Sequence, residues 1–296
     1  MNVNNFKNFL QSKIYIILPI YNENYHLKNI LKCFANQSFK EFFLIIANSL
    51  PSQDTQNIIS FYSEKLNIKQ IKLNKDNFWA SQIYHSQKYL LDQQININSN
   101  IVFCNCDITF NNDFLKNIHE KTILYKNSMI VPLFLDNKIM HTSGLKIKSW
   151  YFSINKHYFK RKILDEKILN KIFYLDMISS NFVIMPSSIL YNVGTVNHNL
   201  LPHYGADYEY SHRAKLKKYQ LVLDTSLSIN IFSKRTGGHN WNRKNKFLTN
   251  LKLLFDIKST LNLKYRTRFI LNTHKGFTKI SSLIINYFKI LLSLFS

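Results

Sequence analysis

An alternation of strand-like and helix-like segments over residues 13–104 is the feature that most constrains the fold. Runs rich in β-branched and aromatic residues predict strands at 13–19, 41–47, 68–73 and 99–104. Apolar residues spaced three and four apart predict helices at 24–35, 54–66 and 77–91. This order is typical of an α/β fold in which helices flank a mostly parallel central sheet. Ligands bind such sheets beyond the carboxyl ends of the strands, so we expect the functional residues there.

The rest of the chain divides into an irregular middle and a basic, apolar end. Residues 129–171 contain strand-like pieces without a regular period. Further elements are predicted as helices at 187–193 and 207–218 and a strand at 220–224. No sheet pattern is evident after that point. We therefore expect one α/β domain over residues 1–240 and a basic, amphipathic helical tail over residues 241–296.

The charge balance predicts an anionic partner of some kind. The formal net charge is +22, from 39 Lys and Arg against 17 Asp and Glu. Asn, Ile, Lys, Phe and Tyr all have A/T-rich codons, so genomic bias accounts for part of this excess, and we expect no nucleic-acid partner. Three cysteines are too few for a disulfide framework, and no signal peptide is visible, which favours reduced thiols in a cytoplasmic protein.

The segment after the first predicted strand carries candidate ligand-binding residues. No glycine-rich dinucleotide fingerprint follows that strand, and no phosphate-binding P-loop occurs in the chain, which argues against nicotinamide and P-loop enzymes. In their place stand Pro19, Tyr21, Asn22 and Glu23. This run offers an aromatic ring, an amide and a carboxylate to one ligand. It equally suits an ordinary turn with a helix N-cap.

A second candidate group opens the helix predicted at 207–218. Asp207 follows a glycine-containing loop and lies in the first turn, where the helix dipole favours the ionised carboxylate, so it is a candidate base near neutral pH. Glu209 points elsewhere on the helix. Arg213 lies roughly on the face of Asp207 and is expected to pair with it or to reach a diphosphate. The alternative is a capped surface helix with a charge pair.

Four segments together, in order, resemble family 2 glycosyltransferases over roughly residues 14–241. They are IILPIYNE at 16–23, DNFWAS at 76–81, NCD at 105–107 and LPHYGADYEYSHRAK at 201–215. The second of them is similar to a segment of a rhamnosyltransferase-like branch. The resemblance implies a GT-A fold and transfer of a sugar from a nucleotide-sugar donor to an acceptor hydroxyl, with inversion of configuration.

The resemblance also implies roles for individual residues. Residues 19–23 line the nucleotide pocket, and Asn48 stands near the family's base-contacting Asp, which is absent here. Trp79 covers the base by stacking, or alternatively anchors the core. Asp207 matches the base that deprotonates the acceptor, and Glu209 matches a second acidic position.

A divalent cation, Mg²⁺ or Mn²⁺, is the cofactor that the resemblance implies. The family's D-x-D motif reads Asn105-Cys106-Asp107 here, so Asp107 is the expected metal ligand, and Asn105 binds ribose or metal through its amide oxygen. Losing one carboxylate should weaken metal affinity. His239, in a Gly-Gly-His loop, is a further candidate ligand or phosphate contact.

The tail predicts contact with an anionic membrane surface. Apolar residues at helical spacing fill 279–296, opposite a stripe of Ser282, Asn286, Lys289 and Ser293, and basic residues precede them. We therefore expect a peripheral protein at the inner face of the membrane, acting on a glycan or lipid-linked acceptor in surface polysaccharide synthesis. The alternatives are a helix docked on the domain or a second subunit, a degenerate nucleotide-binding scaffold, and a basic membrane- or RNA-binding protein.

Overall fold

The four strands predicted in the first half of the chain lie together in one large sheet. The computed structural model describes residues 13–159, 161–232 and 251–295. Its first strands are β1 (Ile14–Ile20), β2 (Phe42–Asn48), β3 (Ile68–Lys72), β4 (Asn100–Cys104), β5 (Ile108–Thr109), β6 (Ser128–Asp136) and β7 (Ile139–His141). The others are β8 (Gly144–Ser149), β9 (Ile154–His157), β10 (Lys162–Ile163), β11 (Ile172–Tyr174), β12 (Met177–Ile178), β13 (Phe182–Pro186) and β14 (Gln220–Ile231).

Helices cover both faces of this sheet and continue into the tail. They are α1 (Asn24–Ala35), α2 (Gln53–Ser63), α3 (Trp79–Asp92), α4 (Phe114–Leu124), α5 (Ser188–Val193), α6 (Ala206–Leu216), α7 (Leu263–Thr273) and α8 (Thr278–Phe295). A 3₁₀ turn spans Glu166–Ile168. In the described part of the chain, no helix combines the length and apolar character needed to cross a bilayer.

The main sheet is parallel in its first half and mixed beyond it. Its strand order is β10-β7-β6-β13-β4-β1-β2-β3, with β14 beside β6. The pairs β1–β2, β1–β4, β2–β3 and β6–β14 are parallel, whereas β13 runs antiparallel between β4 and β6. The expected α/β fold with a mostly parallel sheet is confirmed. The strand predicted at 220–224 is longer than expected, because β14 continues across a register shift between Asp224 and Ser228.

Strand β1 shows why the sheet is central. All seven of its side chains are buried, as expected for a parallel strand covered on both faces. Ile14, Ile16 and Leu18 pack into the core shared with α1, α2 and α4. Tyr15 and Ile17 join the opposite core, which includes residues of α3, α5 and α6. Alternate side chains of β1 therefore pack into two separate hydrophobic cores, one on each face of the sheet.

The tail helices lie against the α/β domain. Phe269 of α7 packs onto the core that contains α6, and Arg268 donates from Nη1 to the carbonyl of Asn199 at 2.9 Å. Helix α8 contacts the turn that joins β8 to β9, two strands of a smaller sheet with β12. The boundary expected at residue 240 stays a prediction, because residues 233–250 lie outside the described part of the chain.

Candidate active site

A cleft of about 700 Å³ opens where the ends of the sheet meet the tail. Trp79, Asn105 and Asp207 line it, so three of the residues singled out in the sequence come together in space. The opposite wall belongs to the smaller sheet and to the tail helices, including Trp150, Arg266 and Asn286 among others. The cleft therefore adjoins the carboxyl end of β4 and the amino end of α6.

One chain of polar contacts fixes the sheet side of the cleft. Trp79 donates from Nε1 to Oδ1 of Asn105 at 3.1 Å, and Asn105 donates from Nδ2 to Oδ1 of Asn181 at 3.2 Å. The backbone holds the same pair, since the Asn105 amide donates to the Asn181 carbonyl at 2.8 Å. The indole of Trp79 and the side-chain amides of Asn105 and Asn181 are therefore held at the carboxyl end of β4. No sequence pattern marks Asn181 as a site residue, because its partner Asn105 lies 76 positions away in the chain.

Asp207 is enclosed at the start of α6. Its carboxylate accepts from the backbone amides of Ser180 at 3.2 Å and Tyr208 at 2.9 Å. Burial raises the pKa of Asp207 from 3.8 to about 6, although both amide contacts act to lower it. The direction is opposite to the one expected from the helix dipole alone. A carboxylate with a pKa near 6 is ionised at neutral pH and is well matched to accepting a proton.

Glu209 and Arg213, the other two site candidates in α6, form a separate structural contact. Arg213 donates from Nε to Oε1 of Glu209 at 2.7 Å, and its Nη atoms donate to the carbonyls of Val193 and Thr195 at 2.8 and 2.9 Å. The expected pairing of Arg213 with Asp207 is wrong, because Glu209 stands one helical turn before Arg213 and takes the guanidinium. Glu209 is buried and points away from Asp207, as its position two residues on indicated.

The nucleotide-binding candidates at the end of β1 are not among the residues that line this cleft. Pro19 is buried inside β1, and Tyr21 is 42% exposed just beyond the strand. Asn22 adopts a left-handed backbone with φ 50°, which turns the chain into α1. Glu23 accepts through Oε2 from the Cys106 thiol at 2.7 Å. This contact ties the end of β1 to the NCD segment.

Asn48 is fully buried and serves the turn after β2. Its Oδ1 accepts from the amide of Leu50 at 3.1 Å, and its carbonyl accepts from the amide of Leu73 at 2.8 Å. Its Nδ2 has no hydrogen-bond partner among the described residues. Contact between Asn48 and a nucleotide base stays a prediction.

Two functional candidates were missed by the sequence reasoning. The ammonium of Lys258 lies 5.1 Å from the ring centre of Tyr21 and 5.9 Å from that of Phe78, which brings a cation to the proposed nucleotide pocket. His203 lines the cleft, and burial together with Lys258 lowers its pKa to about 4, so the ring is neutral at pH 7. Lys258 follows β1 by more than two hundred positions and has no motif around it, whereas His203 stood inside the segment 201–215.

Residues 105–107 provide oxygen ligands of the type that a hard divalent cation prefers, but only two of them. Asp107 offers a carboxylate and Asn105 an amide oxygen, and Mg²⁺ is commonly bound by one or two carboxylates together with substrate phosphates. Within the described residues there is no group of three His, Cys, Asp or Glu side chains placed to hold a metal. His239, the other candidate ligand, lies outside the described residues.

Comparison with solved structures identifies the architecture. The mannosyltransferase PcManGT from Pyrobaculum calidifontis, in complex with GDP-Man and Mn²⁺, has a TM-score of 0.58 at 8% identity over 97% of this chain and 73% of its own. The fold is of the GT-A type. S. aureus TarS has a TM-score of 0.54 at 15% identity over 87% of this chain, which spans only 43% of that protein.

A shorter form, TarS 1–349 in complex with UDP, has a TM-score of 0.53 at 14% identity over 90% of this chain and 72% of its own. No protein-family model and no curated protein matches the sequence. The structural likeness therefore establishes the fold.

Proposed function

We propose that this chain is an inverting glycosyltransferase of the family 2 type, which moves a sugar from a nucleotide-sugar donor to an acceptor hydroxyl. The observation that carries the proposal is Asp207, a carboxylate of raised pKa at the start of α6 that faces the same cleft as Trp79 and Asn105. The two similar structures in complex with GDP-Man and with UDP support a nucleotide-binding role for this fold.

The proposed reaction is a single displacement. The acceptor oxygen attacks the anomeric carbon, the bond from that carbon to the diphosphate oxygen breaks, and Asp207 takes the hydroxyl proton. Trp79 and Tyr21 hold the nucleotide, and the Lys258 ammonium offsets negative charge near the diphosphate. Asp107 and Asn105 would hold a divalent cation, which when bound neutralises charge on the leaving nucleoside diphosphate.

The acceptor and setting follow from the same proposal. A glycan or lipid-linked acceptor fits the part of the cleft lined by the smaller sheet, where Trp150 offers a ring and Asn155 a polar side chain. Surface polysaccharide synthesis at the inner face of the membrane is the proposed setting.

A thermal-shift screen against nucleoside diphosphates and nucleotide sugars, with and without Mn²⁺, tests donor binding. We expect one donor class to raise Tm, and Asp107→Ala to reduce the part of the shift that depends on Mn²⁺. Donor hydrolysis and transfer should then be lost in Asp207→Asn. Asp92→Asn serves as the matched control, because it removes a carboxylate that forms an exposed ion pair with Lys88.

The second candidate is a catalytically degenerate scaffold of the same fold. Asn105 in place of a carboxylate favours it, as does the lack of a three-ligand cluster in the described part of the chain. This candidate predicts nucleotide binding with no donor turnover in any metal. Turnover that depends on Asp207 would exclude it.

A further inference from the structure

Helix α8 is attached to the protein by its polar stripe. Ser282 and Asn286 are buried, whereas the apolar stripe faces outward. Ser282 donates from Oγ to the carbonyl of Trp150 at 2.6 Å, and Asn286 donates from Nδ2 to Oγ of Ser153 at 2.8 Å. The guanidinium of Arg266 on α7 donates to Oδ1 of Asn286 at 2.9 Å. The polar contacts therefore fix which side of α8 meets solvent.

The outward stripe of α8 is apolar along most of its length. Its members are between 41% and 64% exposed and recur every three or four residues: Ile280, Ile284, Tyr287, Phe288, Leu291 and Leu292. A helix on the surface of a soluble domain normally shows the reverse arrangement. A contiguous exposed apolar patch marks an interaction site.

The turn between β8 and β9 extends this apolar surface. Tyr151 and Phe152 are 54% and 61% exposed at its tip. The ammonium of Lys289 donates to the carbonyls of Phe152 and Ser153, both at 3.3 Å, so the turn is joined directly to α8. We call the outward stripe of α8 together with Tyr151 and Phe152 the apolar face.

The charge around the apolar face selects its partner. The stretches 137–164 and 257–296, which contain the face, include no Asp or Glu but several Lys and Arg. A second copy of this chain would bring like charges together, which opposes self-association through this face. An anionic bilayer offers an apolar phase for the exposed side chains and negative headgroups for the surrounding cations.

We propose that the apolar face inserts into the boundary between headgroups and acyl chains of an anionic membrane, with α8 lying in the plane of the surface. The proposal does not depend on the transferase activity. Asn286 and Trp150 also line the cleft that contains Asp207, so α8 forms both a cleft wall and the membrane contact. A helix is about 10 Å across, and the cleft would therefore open close to the lipid surface.

Vesicle co-sedimentation of the full chain tests the proposal. Wild type should bind vesicles containing phosphatidylglycerol and bind pure phosphatidylcholine vesicles at least tenfold more weakly. Ile284→Ser with Phe288→Ser should lower the partition onto anionic vesicles at least tenfold, with an unchanged Tm because both side chains face outward. Ile123→Ser with Leu124→Ser is the matched control, since these residues are similarly exposed and belong to α4, which packs on the core opposite the one that α7 contacts.

Three results would overturn the proposal. One is a wild type that does not sediment with anionic vesicles, and another is an equal loss in the α4 control. The third is a dimer, seen by light scattering, that the α8 substitutions dissociate, because it would assign the face to a second copy. Donor binding in the absence of vesicles reports separately on the proposed function.

Discussion

At the scale of single residues, Asp207 shows two opposing influences on one carboxyl group. The helix N-terminus and two backbone amides stabilise its charge, and burial in the cleft destabilises it. Burial prevails, and the pKa is raised to about 6. A base with this pKa is ionised in neutral solution yet remains basic enough to accept a proton in a transition state.

The pH profile of transfer should report this group. We expect kcat/KM of the wild type to fall below about pH 6, because Asp207 becomes protonated. Asp207→Asn should lower kcat by about 10²-fold or more, since it removes the general base. Steady-state kinetics across pH 5–8 would measure both effects. An Asp207→Asn variant with the kcat of the wild type would contradict the assigned role.

The same carboxyl predicts a pH-dependent change in stability. Its pKa is about 6 in the folded state against 3.8 as the reference value, so the folded protein binds the proton more tightly. This contribution stabilises the fold below pH 4 and is lost as pH rises through 6. Asp207→Asn cannot ionise, so its Tm should exceed that of the wild type at pH 8, with the difference shrinking toward pH 4. Thermal unfolding by circular dichroism would check the trend, and a constant difference would contradict it.

At the scale of elements, the junction between α6 and α7 depends on one glycine. Gly205 precedes α6 with φ +84°, and an added Cβ would stand 3.2 Å from the Phe269 ring of α7. Both the backbone conformation and the space therefore favour glycine at this position.

Gly205→Ala should destabilise the fold more than a glycine substitution in open space. Gly276 also has a positive φ, +50°, but an added Cβ there meets nothing within 4 Å. We expect Gly276→Ala to lower the free energy of unfolding by about 1 kcal/mol, and Gly205→Ala to lower it further because Phe269 must shift. Urea denaturation of both variants would test this, and equal losses would mean that Phe269 moves freely.

At the scale of the whole molecule, the excess of positive charge acts against compactness. The net charge of +22 produces repulsion that the described ion pairs only partly offset. Salt screens charges that are more than about 10 Å apart at 0.1 M.

Stability should therefore rise with moderate salt. We expect Tm to be higher in 0.3 M NaCl than in 0.02 M NaCl at pH 7, because screening weakens the long-range repulsion more than the close ion pairs. Calorimetry at fixed protein concentration would measure the change. The same experiment at pH 9.5, near the pI of 9.8, should show a smaller rise.

The sequence by itself determined the order of strands and helices in the first half of the chain and showed which polar residues follow the strand ends. The spacing of apolar residues, every second residue in strands and every third or fourth in helices, is a local property of the sequence. A buried strand such as β1 is recognisable from its run of apolar residues. The resemblance to family 2 glycosyltransferases added Trp79 and Asn105 as candidate site residues, and its place in the first turn of a predicted helix made Asp207 a candidate base.

Only the tertiary structure decided which partner each group takes. From its sequence position Arg213 could reach several acceptors. In the folded protein its guanidinium donates to Glu209 and to two backbone carbonyls. The pKa of Asp207 depends on how deeply the cleft encloses it, and Lys258 approaches Tyr21 from a remote part of the chain. Helix α8 has a polar stripe and an apolar stripe. Hydrogen bonding to the turn that contains Trp150 orients the polar stripe toward the protein. These outcomes depend on contacts between residues far apart in the chain, which no local pattern records.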